Sequence, residues 1–425
     1  MKPILQANAG IYILTWQDPP VRMRLDRFWE NRDRKPSCEL TIESTAPGME
    51  GHLLHDSLTL TSARARASIA RLLASKGPPE LDWAVMLEQA CLMVLEDYRK
   101  GEPIADLLAE PPSQDTEPYS IYPIMRKGVA TLLYGAPGVG KGLVACALSA
   151  WRADGREACG MRPVLGNVLY MDWEASKRDV QERIWRIRNP YVAERGAQTV
   201  YYRFCAQVLS AELPEIQREV LEHEIDCIVI DSAAPACGHP QEDPAVTALF
   251  NGLRSLRRAR GAMPVDALII GHQPKNTPDK TPFGSTFWEA RPRDVWWVNG
   301  VQTGSRQTVS LQHYKNNDGP KTPPFGLEFT FQENEIAVKR VDAGAEPELE
   351  AKLSLPNRIA SVLRHSPMYP KELMEALGLK DDPALFRDLG RGKDRRFVKI
   401  VEGEHKGKWA LIARPAASVP NQEES

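Results

Sequence analysis

The chain's seven cysteines, at 38, 91, 146, 159, 205, 227 and 237, form no CxxC pair and no Cys/His ligand spacing. That argues against a disulfide framework or a zinc site and for a reducing compartment. Cys146 and Cys227 stand inside apolar runs, as buried thiols do. No run approaches membrane-spanning length, and the opening MKPILQANAGIY lacks a signal-peptide core. A cytoplasmic protein with no membrane partner is expected. Nor is there a surplus of one charge: 54 Lys and Arg stand against 56 Asp and Glu, a formal net charge of −2. This excludes a global basic field that recruits nucleic acid, so any such contact is local. No internal repeat is visible, and 425 residues leave room for two or three domains.

What is present centres on residues 129–151, VATLLYGAPGVGKGLVACALSAW. Residues 129–134 are an apolar run of buried-strand type. Gly135, Ala136, Pro137, Gly138, Val139, Gly140, Lys141 and Gly142 follow, then Leu143, Val144, Ala147 and Leu148 at helical spacing. Strand, glycine loop, lysine and helix in that order make a phosphate-binding loop. The glycines let backbone N–H groups turn onto a phosphate, the helix start adds its positive dipole end, and Lys141 adds a full charge for the terminal phosphates. Residues 135–143 are therefore the candidate nucleotide-binding segment, with ATP and Mg2+ as expected cofactors. The residue after the lysine is usually Ser or Thr, whose hydroxyl binds magnesium. Here it is Gly142, so magnesium held through water is expected. The octet also resembles the loop of adenylate kinases, which carry Gly after Lys, but a kinase's Arg-rich lid and N-terminal phosphate loop are missing.

Residues 1–100 read as a small α+β domain to which no chemistry is assigned. Its expected strands are 10–16, 21–25 and 38–43, and its expected helices 62–74 and 83–98. Residues 101–123, rich in Pro, Glu, Ser and Asp, read as a linker. Residues 124–342 alternate strands (167–173, 227–230, 267–271) with helices (176–188, 213–225, 244–258), the pattern of a doubly wound α/β sheet. Three strands run directly into Glu174, Asp231 and His272, and in open α/β sheets the ligand site lies at those carboxyl ends. Asp231 is the expected magnesium-holding carboxylate. Glu174 is the expected proton acceptor for an attacking water. An acidic linker at 343–354 leads to 355–412, which reads as a winged helix, and 413–425 reads as a disordered tail. Arg387, Arg391, Lys393, Arg395, Arg396 and Lys399 cluster at and after its third helix, as in segments that track DNA phosphates. A protein-docking wing is the alternative.

These segments together resemble the RecA-like P-loop ATPases, most closely the hexameric replicative helicases of plasmids and phages, relatives of DnaB-type helicases. The resemblance covers about 120–340. LYGAPGVGKG matches the phosphate loop, VLYMDWEAS the strand ending in the catalytic Glu, and CIVIDSAA the segment ending in the metal-holding Asp. An AAA+ ATPase places its catalytic Glu directly after that Asp, where this chain has Ser232; a RecA-type ATPase places it on the neighbouring strand, as Glu174 stands here. IIGHQPK resembles the segment that senses the γ-phosphate, which gives His272 that role and brings in Gln273. GSTFWEARPRDVWWV resembles the segment that carries an arginine finger into the neighbouring subunit, which gives Arg293, with Arg291 as a fallback. HYKNNDGP resembles a late motif in which Lys315 reaches a neighbour's nucleotide. The loop 276–283 corresponds to one that faces DNA in the ring channel, with Lys280 in it and Lys275 just before. The resemblance thus implies an ATP-hydrolysing DNA helicase that works as a homo-oligomeric ring; the alternative is a nucleotide-switched DNA-binding regulator or clamp ATPase that does not unwind.

Overall fold

The computed structural model describes residues 2–8, 10–18, 20–30, 35–46, 51–100, 106, 108–109, 117–188, 198–259, 263–274, 281–343, 355–379, 383–390 and 396–412. Five strands open the chain: β1 (Ile4–Asn8), β2 (Ile11–Gln17), β3 (Pro20–Glu30), β4 (Pro36–Ser44) and β5 (Gly51–Thr59). They form one antiparallel sheet in sequence order. α1 (Ala63–Ala74), capped by the Ser62 hydroxyl, and α2 (Trp83–Lys100) follow. Alternation along β2 buries Tyr12, Leu14 and Trp16, which pack in one core with Leu73, Leu87 and Val94 of the helices. The edge strands β1 and β5 were not expected from the sequence. β5 buries only Leu54 and Leu58, too few to mark an alternating run.

The chain continues through β6 (Tyr119–Tyr122), β7 (Met125–Arg126), β8 (Ala130–Gly135), α3 (Lys141–Asp154), β9 (Arg162–Pro163), β10 (Asn167–Asp172) and α4 (Lys177–Arg188). Next come β11 (Val200–Phe204), α5 (Leu209–Glu222), β12 (Ile225–Asp231), α6 (Ala233–Cys237), α7 (Asp243–Ser255) and β13 (Asp266–His272). α8 (Phe287–Ala290), β14 (Asp294–Thr303), β15 (Arg306–Asn316), β16 (Phe325–Phe331) and β17 (Ile336–Val341) complete this part. Nine strands make one mixed sheet in the order β11-β10-β12-β13-β8-β14-β15-β16-β17. Neighbours from β11 to β14 are parallel, and those from β14 to β17 antiparallel. α3 and α4 cover one face, with Val144, Leu148 and Val180 against Leu133, Val168, Tyr170 and Val229. α5, α6 and α7 cover the other, with Ile216, Val220, Val246 and Leu253 against Leu132, Leu169 and Ile228. Burial on both faces is why these strands read as continuous apolar runs.

Three expectations change. The helix expected at 213–225 is α5, which starts at Leu209 and stops at Glu222; Glu224 takes φ 47°, and Ile225 already opens β12. The linker expected at 101–123 ends earlier: β6 pairs with β7 and β9, and Ile121 is buried in the main core. Most of 101–116 lies outside the described residues. The antiparallel half of the sheet was not expected as strands.

The last elements are α9 (Leu355–Leu363), α10 (Pro370–Ala376), α11 (Pro383–Gly390), β18 (Phe397–Lys399) and β19 (Trp409–Leu411). These three helices and a two-stranded ribbon enclose Ile359, Leu363, Leu373, Leu385, Leu389 and Phe397. Residues 344–354 and 413–425, the basic residues Arg391, Lys393 and Arg395, and Lys275 and Lys280 lie outside the described residues. Among the described residues no helix is long and apolar enough to cross a membrane.

Candidate functional site

Parallel register brings the candidate residues to one edge of the sheet. Asp172 pairs with Asp231, Asp231 with Ile270, and His272 with Gly135, so these strands end together. The loop leaving β8 turns through Gly138 at φ 76° and Gly140 at φ 96°, conformations that favour glycine. It enters α3 at Lys141. The first turn of α3 holds no acidic residue, so its dipole and N–H groups remain suited to an anion. Lys141 Nζ donates to the carbonyls of Gly135 at 3.0 Å and Ala136 at 2.8 Å. Burial pushes its pKa down to about 8, against the pull of Asp231 and Glu174.

Glu174 stands on a turn that Asp172 builds. The buried Asp172 accepts the backbone N–H groups of Glu174 and Ala175 on Oδ1, at 2.9 and 2.8 Å, and the Tyr202 hydroxyl on Oδ2 at 3.1 Å. Glu174 Oε1 accepts the Ser232 hydroxyl, and His272 Nε2 lies 3.5 Å from the same oxygen. The His272 contact, with help from Ser232, holds the Glu174 carboxyl below its usual range although burial opposes it. An ionised carboxylate placed this way can accept a proton. His272 Nδ1 is buried without a hydrogen-bond partner.

Asp231 Oδ2 accepts the Tyr170 hydroxyl at 2.7 Å. Burial pushes the Asp231 pKa up, and the Tyr170 bond opposes the rise. A Cβ built on Gly142 would stand 3.4 Å from that same Oδ2, so a hydroxyl at 142 would face this carboxylate. Among the described residues no three His, Cys, Asp or Glu side chains converge to hold a metal by themselves. Asp231 offers one hard oxygen beside the loop, which fits a magnesium ion that takes its other ligands from phosphate and water.

Arg293 and Lys315 lie at the other end of the same strands. Arg293 N–H donates to the Ala130 carbonyl, where β8 begins, and Lys315 pairs with Val295 near the start of β14. The Arg293 guanidinium makes a two-pronged bond to Asp318, at 3.2 and 2.7 Å, and is half exposed. Lys315 Nζ donates to the carbonyls of Glu289, Ala290 and Pro292 at 2.8, 2.8 and 2.9 Å, which fixes the turn that carries Arg293. Arg291 bonds the Thr247 hydroxyl and lies over the Phe287 ring. Gln273, next to His272, accepts the Trp297 indole N–H at 3.1 Å. Sequence reasoning missed Tyr170 and Asp172 as parts of the site. A polar-tipped residue and an acid inside the run NVLYMD were the available signal.

Residues 98–278 match a family model described as an AAA domain. The match spans the loop, Glu174, Asp231 and His272, and supports nucleotide binding and ATP hydrolysis by this part of the chain. It ends before Arg293 and Lys315. No curated protein matches the chain.

Proposed function

We propose that this chain is an ATP-driven DNA motor, a ring-forming helicase of the replicative type that serves a mobile element. The observation that carries the reading is the separation of its cations. Lys141 lies just beyond the C-terminal end of β8, and Arg293 is bonded to the strand's N-terminal end. Six strand residues span roughly 16 Å. An arginine there cannot serve its own subunit's phosphates, but it can serve those of a neighbour in a ring, most simply a hexamer.

In this reading Lys141 and the loop N–H groups hold the ATP phosphates. Asp231 would hold Mg2+, which when bound offsets phosphate charge. Glu174, kept ionised by His272 and Ser232, takes the proton of the attacking water. Arg293 leaves Asp318 and offsets charge at the neighbour's γ-phosphate, a contribution of about 10³–10⁵ in rate where such fingers act. Residues 355–412 serve as a winged helix, with the exposed Arg387 and Lys399 among the groups available to DNA phosphates. The test is unwinding of a forked duplex by the full chain with ATP and Mg2+. Strand separation that stops with Lys141→Ala supports the reading. DNA-dependent ATP turnover without strand separation favours a nucleotide-switched clamp instead.

A further inference from the structure

Gly142 leaves a gap at the phosphate loop, and the gap has two charged walls. One is Asp231, with Oδ2 3.4 Å from a Cβ built on Gly142; the other is Arg183, with Nη1 3.8 Å from the same point. Arg183 comes from α4. That helix is anchored against the core through Val180, Ile184 and Ile187, so the position of Arg183 beside the start of α3 is set by packing. Its neighbours on the helix are occupied: Arg186 pairs with Glu182, and Arg188 with Asp154. Arg183 is exposed and makes no hydrogen bond or ion pair with a described residue. A guanidinium without a hydrogen-bond or ion-pair partner among the described residues thus borders the place where the hydroxyl of a Ser or Thr would stand.

We propose that Arg183 binds the terminal phosphates of the nucleotide within its own subunit, through the space that Gly142 leaves open. A guanidinium offers a planar fork of N–H donors that matches phosphate oxygens, and it brings full charge to a loop that has lost a magnesium-binding hydroxyl. The nucleotide is then held by two cations of the same chain, Lys141 and Arg183, and its binding depends less on the metal. The proposal rests on reading residues 135–142 as the phosphate loop.

The test is equilibrium binding of a fluorescent ATP analogue to the full chain, in EDTA and in saturating Mg2+. In EDTA, Arg183→Ala is expected to weaken binding about tenfold or more, as the loss of hydrogen bonds to a charged group does. Arg183→Lys should recover part of the loss, since it restores charge but not the fork. The loss should persist in an Asp231→Asn background, because the contact is to phosphate. Binding by Arg183→Ala equal to the parent in EDTA overturns the proposal. So does a loss that vanishes with Asp231→Asn, which would mean that Arg183 acts through that carboxylate. Lys141→Ala separates the two readings. If it abolishes binding while Arg183→Ala changes nothing, only the Arg183 proposal fails; if it binds like the parent, the phosphate-loop reading fails.

Discussion

At the N-terminal ends of the parallel strands, Asp266 and Asp294 are fully buried beside guanidinium groups: Asp266 meets Arg152 and Arg258 and accepts the Gly128 N–H, and Asp294 meets Arg126, with the His313 ring at 3.1 Å. At the C-terminal ends, Asp231 has the Tyr170 hydroxyl, Glu174 has Ser232 and His272, and Lys141 has two carbonyls. The same sheet therefore treats charge in two ways. Where a buried carboxylate already has a guanidinium partner, its charge is offset within the chain and the pair holds the fold together. Where acids and a lysine share neutral or single partners, the site is short of counter-charge and suits a phosphate with its cation. Arg293 sits at the paired end yet is half exposed, unlike the buried Asp266 and Asp294.

The largest effect expected is on Arg293. Arg293→Ala should lower ATP turnover by about 10³–10⁵ while leaving nucleotide affinity unchanged, because the finger serves the next subunit. Mixed with Glu174→Gln, which keeps the finger but lacks the base, it should regain activity above either variant alone, measured as phosphate release where assembly is verified. Turnover like the parent's in both Arg293→Ala and Arg291→Ala would return Arg293 to the structural group. Next comes Asp266→Ala. It leaves the buried Arg152 without its carboxylate, while Arg258 keeps Asp226, and should cost about 3–5 kcal/mol of stability, read from urea unfolding. Nucleotide affinity per folded molecule should not change. A loss of affinity without a loss of stability would break the distinction between the two ends.

How much of this was legible in the sequence follows from the same division. The parallel half was readable because β8, β10, β12 and β13 are buried on both faces, and each apolar run stops at a polar residue or a glycine loop. The antiparallel half was not. β15, RQTVSLQHYKN, buries Gln307, Thr308, Ser310, Gln312 and His313, so burial does not follow hydrophobicity; the His313 ring stacks on Trp296 at 4.1 Å. At the site, the loop, Glu174, Asp231 and His272 announced themselves by following strands. Tyr170 and Arg183 did not, because their relation to Asp231 and Gly142 depends on cross-strand register and on how α4 packs. Arg293 and Lys315 were picked out by resemblance, and their place at the far end of β8 needed the fold.

The smallest effect is a pH dependence, and it tests the under-compensated end directly. Burial lowers the Lys141 pKa from its ordinary 10.5 to about 8 in the nucleotide-free site. Lys141 must be protonated to attract phosphate, and a bound phosphate raises its pKa by opposite charge. Affinity should therefore be flat below about pH 8 and fall by about tenfold per pH unit above it, until the pKa of the bound state is reached. Stability of the nucleotide-free fold has the opposite sign. The folded pKa lies below the unfolded value, so losing the charge that burial disfavours stabilises the fold as pH rises from about 8 toward 10.5. The measurement is affinity for the fluorescent ATP analogue from about pH 7.5 to about 9.5, with urea midpoints over the same range. Lys141→Arg supplies the control: a guanidinium stays charged throughout, so whatever its absolute affinity, this variant should lack the slope. A slope that survives in Lys141→Arg belongs to another group, and an affinity that stays flat through pH 9.5 in the parent would mean that the lysine is not held at low pKa beside the loop.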